Sequence, residues 1–268
     1  MSKSRKRKKK KNQTLVIVFL MSCIIFVGLL IVVMFQQGRI EHDREESTSE
    51  EVMVESTTAL PQTLEKDNPD RVYYEDGFYY EPISDVIWKR IQGKSFGEDC
   101  TINIEDLRYV RVLYIDFYGA IAEGELIVNK KVAQDVVEIF KEIYDKKYPI
   151  EKIRLIDNYN ANDEKSMADN NTSAFNFRMI EGTTTVSDHS FGLAIDINPL
   201  YNPYIQKMGN KTTILPKEGE GYADRSLEFD YKIRKGDACY KAFTSRGWKW
   251  GGEWEGTIDY QHFYKDLK

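Results

Sequence analysis

Ser187–Asp196 reads S-D-H-S-F-G-L-A-I-D, and Ile258–Phe263 reads I-D-Y-Q-H-F. Together these runs hold two of the three histidines in the chain. Leu193 to Ile197 has the period-two pattern of a strand, which turns Ile195 and Ile197 to a core and Asp196 to the opposite face, toward a cleft. Asn198-Pro199 ends that strand. Gly192 lets the backbone turn between His189 and Asp196, so a turn followed by a strand can aim both side chains at one point. Two imidazoles and one carboxylate suffice to hold a catalytic zinc by three protein bonds, with a fourth position open to water. His189, Asp196 and His262 supply that set. Asp259, three residues before His262, is a second carboxylate free to handle protons. The spacing from His189 to Asp196 does not match the i, i+4 pair of a His-Glu-x-x-His helix. By itself His189 also reads as a hydrogen-bonded core histidine, and Asp259 with His262 as an ordinary acid–imidazole pair on a strand.

Working outward, Tyr109–Phe117 alternates apolar and polar residues as a half-buried strand does. Glu125–Val128 reads as its partner, with Tyr118–Gly124 as the hairpin connection. Val132, Val136, Ile139, Phe140 and Ile143 recur at helical spacing and predict a helix from about Lys130 to Lys146, capped by Asn129. Pro149 closes that connection and Ile150–Asp157 resumes as a strand. A polar loop is expected from about Asn158 to Thr172. A helix from about Asp237 to Ser245 stops at Gly247, and Trp248–Gly252 and Tyr260–Tyr264 read as closing strands. Mixed strands and segregated helices predict an α+β fold: a small mixed or antiparallel sheet with flanking helices and a zinc cleft.

The N-terminal residues belong to another regime. Residues 1–11 hold eight Lys or Arg, and Thr14–Phe35 is an uncharged run of 22 residues. About 20 apolar residues span a hydrocarbon core. The basic cluster favours the cytoplasmic side. A cleaved signal would carry a shorter apolar region and a small-residue cleavage site, and M-F-Q-Q-G-R-I offers none. The expected organisation is a cytoplasmic basic segment at 1–13, a transmembrane helix at 14–35, a flexible extracellular stalk rich in Glu, Ser and Thr at 36–70, and one domain at 71–268. The chain carries −5, so everything after the basic cluster carries −13, which argues against nucleic-acid and anionic-lipid ligands. Cys23 falls in the span. Cys100 and Cys239 can pair in an oxidising exterior or stand as two partly buried thiols.

Asn170–Arg178 (N-N-T-S-A-F-N-F-R), Ser187–Tyr204, Gly247–Trp254 (G-W-K-W-G-G-E-W) and Ile258–Phe263, taken in order, resemble the VanY-type D-alanyl-D-alanine carboxypeptidase and L-alanyl-D-glutamate endopeptidase superfamily of zinc peptidases. The resemblance covers roughly the last 120 residues and centres on S-x-H-x-x-G-x-A-x-D with a later acid-x-x-H. It implies zinc held by His189, Asp196 and His262, with Asp259 taking a proton from water and returning it to the leaving amine. It also implies that Arg178 faces a substrate carbonyl or carboxylate and that Ser187 hydrogen-bonds within the site and contributes to substrate binding. In the carboxypeptidase branch a Gln stands five residues after that arginine; here the position is Thr183. The plain alternatives are a surface salt bridge for Arg178, a turn hydroxyl for Ser187, and packing or turn roles for Phe175 and Asn176. Trp248, Trp250 and Trp254 can line a groove or fill a core, and Glu253 competes with Asp259 as proton carrier.

The expectation that follows is a membrane-anchored zinc peptidase cutting peptidoglycan stem peptides outside a bacterial cell, in a Gram-positive host. Its rival is a non-catalytic zinc-containing extracellular module that binds cell-wall peptides. Asp259 separates the two, because a zinc site that only binds has no need of a free carboxylate three residues before its ligand.

Overall fold

Two hairpins in succession build the first sheet. Strand β1 (Val72–Glu75) turns at Gly77 into β2 (Phe78–Pro82), helix α1 (Asp85–Ile91) follows, and β3 (Leu107–Ile115) pairs with β4 (Ile121–Asn129). The order is β1-β2-β3-β4, antiparallel throughout. The computed structural model describes residues 68–180, 183–209 and 211–267, all within the unit Asp67–Lys268. The basic segment, the expected span and nearly all of the expected stalk lie outside the described residues. No helix among the described residues is long and apolar enough to cross a membrane.

β3 is buried on both faces. Val110, Val112 and Tyr114 join a core with helix α2 (Ala133–Asp145), while Leu107 and Tyr109 pack with Ile87 and Ile91 of α1. The strand expected at Tyr109–Phe117 is therefore present, two residues earlier at each end. Its partner is longer than the sequence suggests, because Ile121–Gly124 is strand and not connection. Gly124 stays in the ladder because the side chain of Ile153 occupies the space a Cβ would take, 2.7 Å away. α2 starts at Ala133 and not near Lys130. Asn129 spends its side chain on Lys131 N and on Phe191 O, so it caps no helix.

The expected strand Ile150–Asp157 shrinks to β5 (Lys152–Ile153), which pairs in parallel with β6 (Asn171–Thr172). The polar loop between them holds helix α3 (Asp163–Ala168), whose N-cap Asn162 accepts the Lys165 N–H. Strand β7 (Ala194–Asp196) is the strand expected there, with Ile195 and Ile197 fully buried. A further sheet was not foreseen: β8 (Tyr204–Met208) lies between β9 (Lys211–Leu215) and the later β11 (Thr257–Asp259). Helix α4 (Ala238–Thr244), capped by Asp237, leads through Gly247 to β10 (Lys249–Trp250). β12 (His262–Tyr264) then sits between β10 and β7. The result is the α+β class expected, with antiparallel sheets and few helices.

The main core joins α2, α4 and the first sheet to Ile195, Ile197 and Phe263. Trp248 and Trp250 belong to it. Phe263 and Phe243 stack with ring centroids 4.1 Å apart, which fixes β12 against α4. Cys239 lies in this core and Cys100 beside the smaller one, and both are free thiols.

Candidate metal centre

The site starts from a register. β7 and β12 are antiparallel with His262 directly opposite Asp196 and Phe263 opposite Ile195. Directly opposed residues point to the same face, so burial of Ile195 and Phe263 sends Asp196 and His262 together to the other side. Their atoms meet there, with His262 Nδ1 3.0 Å from Asp196 Oδ1.

His189 arrives from a separate element. Asp188–Phe191 forms a single 3-10 turn after Ser187, whose Oγ accepts the His189 N–H. Gly192 ends the turn at φ +65°, where a Cβ would stand 2.5 Å from the Asn129 backbone nitrogen of β4. Both the left-handed backbone and the close approach require glycine. On the far side of β7, Ser173 exchanges backbone hydrogen bonds with Asp196, which brings the Ala174 carbonyl to within 2.6 Å of His189 Nδ1. That carbonyl can only accept, so Nδ1 carries the proton and Nε2 presents its lone pair inward. Nε2 lies 3.2 Å from His262 Nδ1 and 3.2 Å from Asp196 Oδ2.

The three residues therefore offer ligand atoms within 4.8 Å of one another, and all three are buried. Two imidazole nitrogens and a carboxylate, with one tautomer fixed by a backbone carbonyl, fit the donor set and outer-shell support of zinc. Electrostatics agree with a site built for a cation. Burial works to raise the Asp196 carboxyl, yet the charges and hydrogen bonds of His189 and His262 outweigh it and hold the group well below the usual range. His189 shifts the other way. Burial lowers it, and the Asp196 charge and hydrogen bond raise it further than burial takes away.

Asp259 ends β11 opposite Tyr204 of β8. Its Oδ1 is closed off from solvent and accepts no hydrogen bond among the described residues. Burial pushes this carboxyl up to about 7, the Asp196 charge adds to the rise, and His262 and Gln261 oppose it. A carboxyl titrating there can both accept and return a proton at neutral pH. Gly251 folds over the bend between Asp259 and His262, where a Cβ would stand 2.7 Å from the Asp259 carbonyl oxygen.

The rival carboxylate, Glu253, points elsewhere. It is exposed, 2.6 Å from Lys235 Nζ and 3.1 Å from Tyr240 Oη, and these partners lower it. Trp254 is the tryptophan outside the core: half-buried, it sits with its ring 5.4 Å from His262 and donates Nε1–H to Tyr264 Oη. Trp248 and Trp250 pack inside, as a core reading has them. Arg178 forms an ion pair with Asp163, and its backbone N–H donates to Ser190 Oγ, one residue from His189. Its charge reaches the His189 ring, where it opposes protonation. Ser187 Oγ is engaged in the turn, and Thr183 Oγ1 likewise bonds a turn, to Ile180 O. Phe175 packs in the smaller core and Asn176 is buried. Asp163, which the sequence reading placed in a featureless polar loop, is the residue it missed. The signal was the N-D-E-K run after Ala161, a helix start.

No curated protein and no solved structure matches the chain. A family model does match, over residues 181–265, about a third of the chain. That stretch contains His189, Asp196, Asp259 and His262 and begins just after Arg178. The match supports a peptidase. Residues 181–265, which carry the converging ligands, thus match the family described as D-alanyl-D-alanine carboxypeptidase.

Proposed function

We propose that this chain is a zinc peptidase that hydrolyses peptidoglycan stem peptides, of the D-alanyl-D-alanine carboxypeptidase or L-alanyl-D-glutamate endopeptidase type, at the outer face of a bacterial membrane. The observation that carries the reading is the convergence of His189 Nε2, His262 Nδ1 and the Asp196 carboxylate, with a second, half-buried carboxyl at Asp259 whose enclosed Oδ1 has no hydrogen-bond partner among the described residues. The anchor rests on the uncharged run Thr14–Phe35 and the basic cluster before it. A thick wall outside a single membrane, as in a Gram-positive cell, suits a hydrolase held on a stalk.

His189, Asp196 and His262 would hold the metal. Zinc, when bound, supplies Lewis acidity that polarises a peptide carbonyl and brings a water's pKa to about 7. Asp259 takes the proton from the attacking water on its carboxylate. As the C–N bond breaks, the same oxygen returns that proton to the leaving nitrogen. Burial around Asp259 keeps its carboxyl in the range where both transfers run at neutral pH. Ala174 keeps His189 in one tautomer throughout, and the Arg178 guanidinium offers positive charge to the developing oxyanion. A module that only binds peptides gains nothing from a carboxyl whose enclosed Oδ1 lacks a hydrogen bond among the described residues, since such an atom costs folding free energy.

The test is incubation of the full chain, purified in detergent with zinc, with defined muropeptides, followed by mass spectrometry. Loss of a terminal residue or a split stem is expected. Intact muropeptides with one zinc bound per chain would place the protein among binding modules instead.

A further inference from the structure

Resting on the peptidase reading above, we propose that Asp163 is a positioning residue, whose single carboxylate fixes Asn176 and Arg178 and thereby holds the Arg178 guanidinium in one orientation beside the His189 turn. Asp163 is the first residue of α3. Its Oδ1 accepts from Asn176 Nδ2 at 2.9 Å, and its Oδ2 pairs with Arg178 Nε, an atom shut off from water. Asn176 is itself buried and donates a second time to Ala161 O. The main chain is held as firmly. Ser190, fully buried, accepts the Arg178 N–H at 2.8 Å and donates to the Arg178 carbonyl at 2.7 Å.

Nε faces the Asp163 carboxylate in the ion pair without a hydrogen bond of its own, and the edge that carries the two terminal amino groups makes no hydrogen bond among the described residues. That edge meets oxygen acceptors in a fixed fork. The Arg178 side chain keeps 35% of its surface exposed, so the fork is reachable by a substrate. A partly exposed ion pair contributes little to stability. Its value lies in fixing the direction of the charge before the substrate arrives, since a misplacement of about 1 Å can cost about 100-fold in rate.

The experiment is a double-mutant cycle on the full chain with zinc, comparing Asp163→Asn, Arg178→Ala and the double variant for kcat and KM on a stem peptide. Asp163→Asn is expected to lower kcat/KM by about 10- to 100-fold and to cause no further fall once Arg178 is alanine. An equal fall in both backgrounds, accompanied by a lower Tm, means that Asp163 only supports the fold and overturns the proposal. If Asp163→Asn does not fold, Asn176→Ala is put through the same cycle, with the same two outcomes. If the wild type cuts no stem peptide, the peptidase reading fails on its own. Positioning is then read from the rate at which phenylglyoxal modifies Arg178, mapped by mass spectrometry. A several-fold faster rate in Asp163→Asn supports the proposal, and an unchanged rate overturns it.

Discussion

His262 stands directly opposite Asp196 across the β12–β7 pair, with Nδ1 3.0 Å from Oδ1. A slip of β12 by one residue against β7 would send His262 into the core and bring Phe263 to the site. The fold and the metal centre are thus specified by the same alternation. The third ligand, His189, depends on a turn and not on this register.

His189→Ala, Asp196→Ala and His262→Ala are each expected to abolish stoichiometric zinc binding together with activity, because two remaining ligands hold the ion poorly. Metal analysis of the purified variants checks this. A variant that keeps wild-type zinc removes that residue from the set.

Zinc affinity should fall as the pH is lowered through the raised His189 value. The metal needs the Nε2 lone pair, and the Asp196 charge favours a proton there. Without metal the linkage has a definite sign. A histidine raised in the folded state contributes stability that is complete below its unfolded value and lost as pH rises through the folded one. Asp196, depressed, contributes stability above its unfolded value that is lost only in strong acid. Metal-free protein should therefore lose Tm on the alkaline side of His189, and zinc should restore most there. Calorimetric titration and thermal melts across pH 5–9 measure both effects.

Gly192→Ala is expected to destabilise the domain by more than about 1 kcal/mol, the ordinary cost of a left-handed alanine, because the added Cβ also meets the β4 backbone. Zinc binding should weaken with it, since the same turn carries His189. Gly256→Ala is the control: its φ is +81° but nothing lies within 4 Å, so only the conformational cost remains.

What was legible in the sequence followed from short-range patterning. The strand through Asp196 and the helix with Val136, Ile139, Phe140 and Ile143 show their buried faces in the spacing of apolar residues. Asp259 and His262 were legible as a spaced pair, but the reason that Asp259 rises is burial, which no local pattern carries. The β8–β9–β11 sheet was hidden because its strands are half-exposed and polar, with Lys207, Lys211 and Thr212 alternating weakly. Asn129 misled for a different reason: its side chain had a tertiary partner at Phe191 that outcompeted a local cap. The helix start at Asp163 was readable in the N-D-E-K run, but its partners were not, since they stand 13 and 15 residues away in sequence.

The proposed anchor and its orientation have their own check, independent of chemistry. With Thr14–Phe35 across the membrane and the basic cluster inside, protease added to cells stripped of their wall should release a fragment beginning within residues 36–70. Full protection, with the domain recovered in the cytoplasm, would reverse the topology.

Asp259→Asn separates proton transfer from metal binding. Asparagine keeps the size of the side chain but cannot take a proton at neutral pH. Hydrolysis should fall by about 10²–10⁴-fold, the usual contribution of a general acid–base, while zinc content stays at the wild-type level. Stability gives a second signature with the opposite sign from most carboxylates. The folded state holds the Asp259 proton up to about 7, against an ordinary value of 3.8. Between those two values the folded protein binds more protons than the unfolded one, so wild-type stability declines as pH rises through that window. The variant lacks this loss. Metal-free Asp259→Asn should therefore melt above the metal-free wild type at pH 8, and the gap should close as the pH approaches 4. Near-normal turnover in Asp259→Asn would remove it from the mechanism and send the search to Glu253→Gln, despite the hold of Lys235 on that side chain. A lower Tm at pH 8 with lost activity would mean instead that the carboxylate supports the fold around His262.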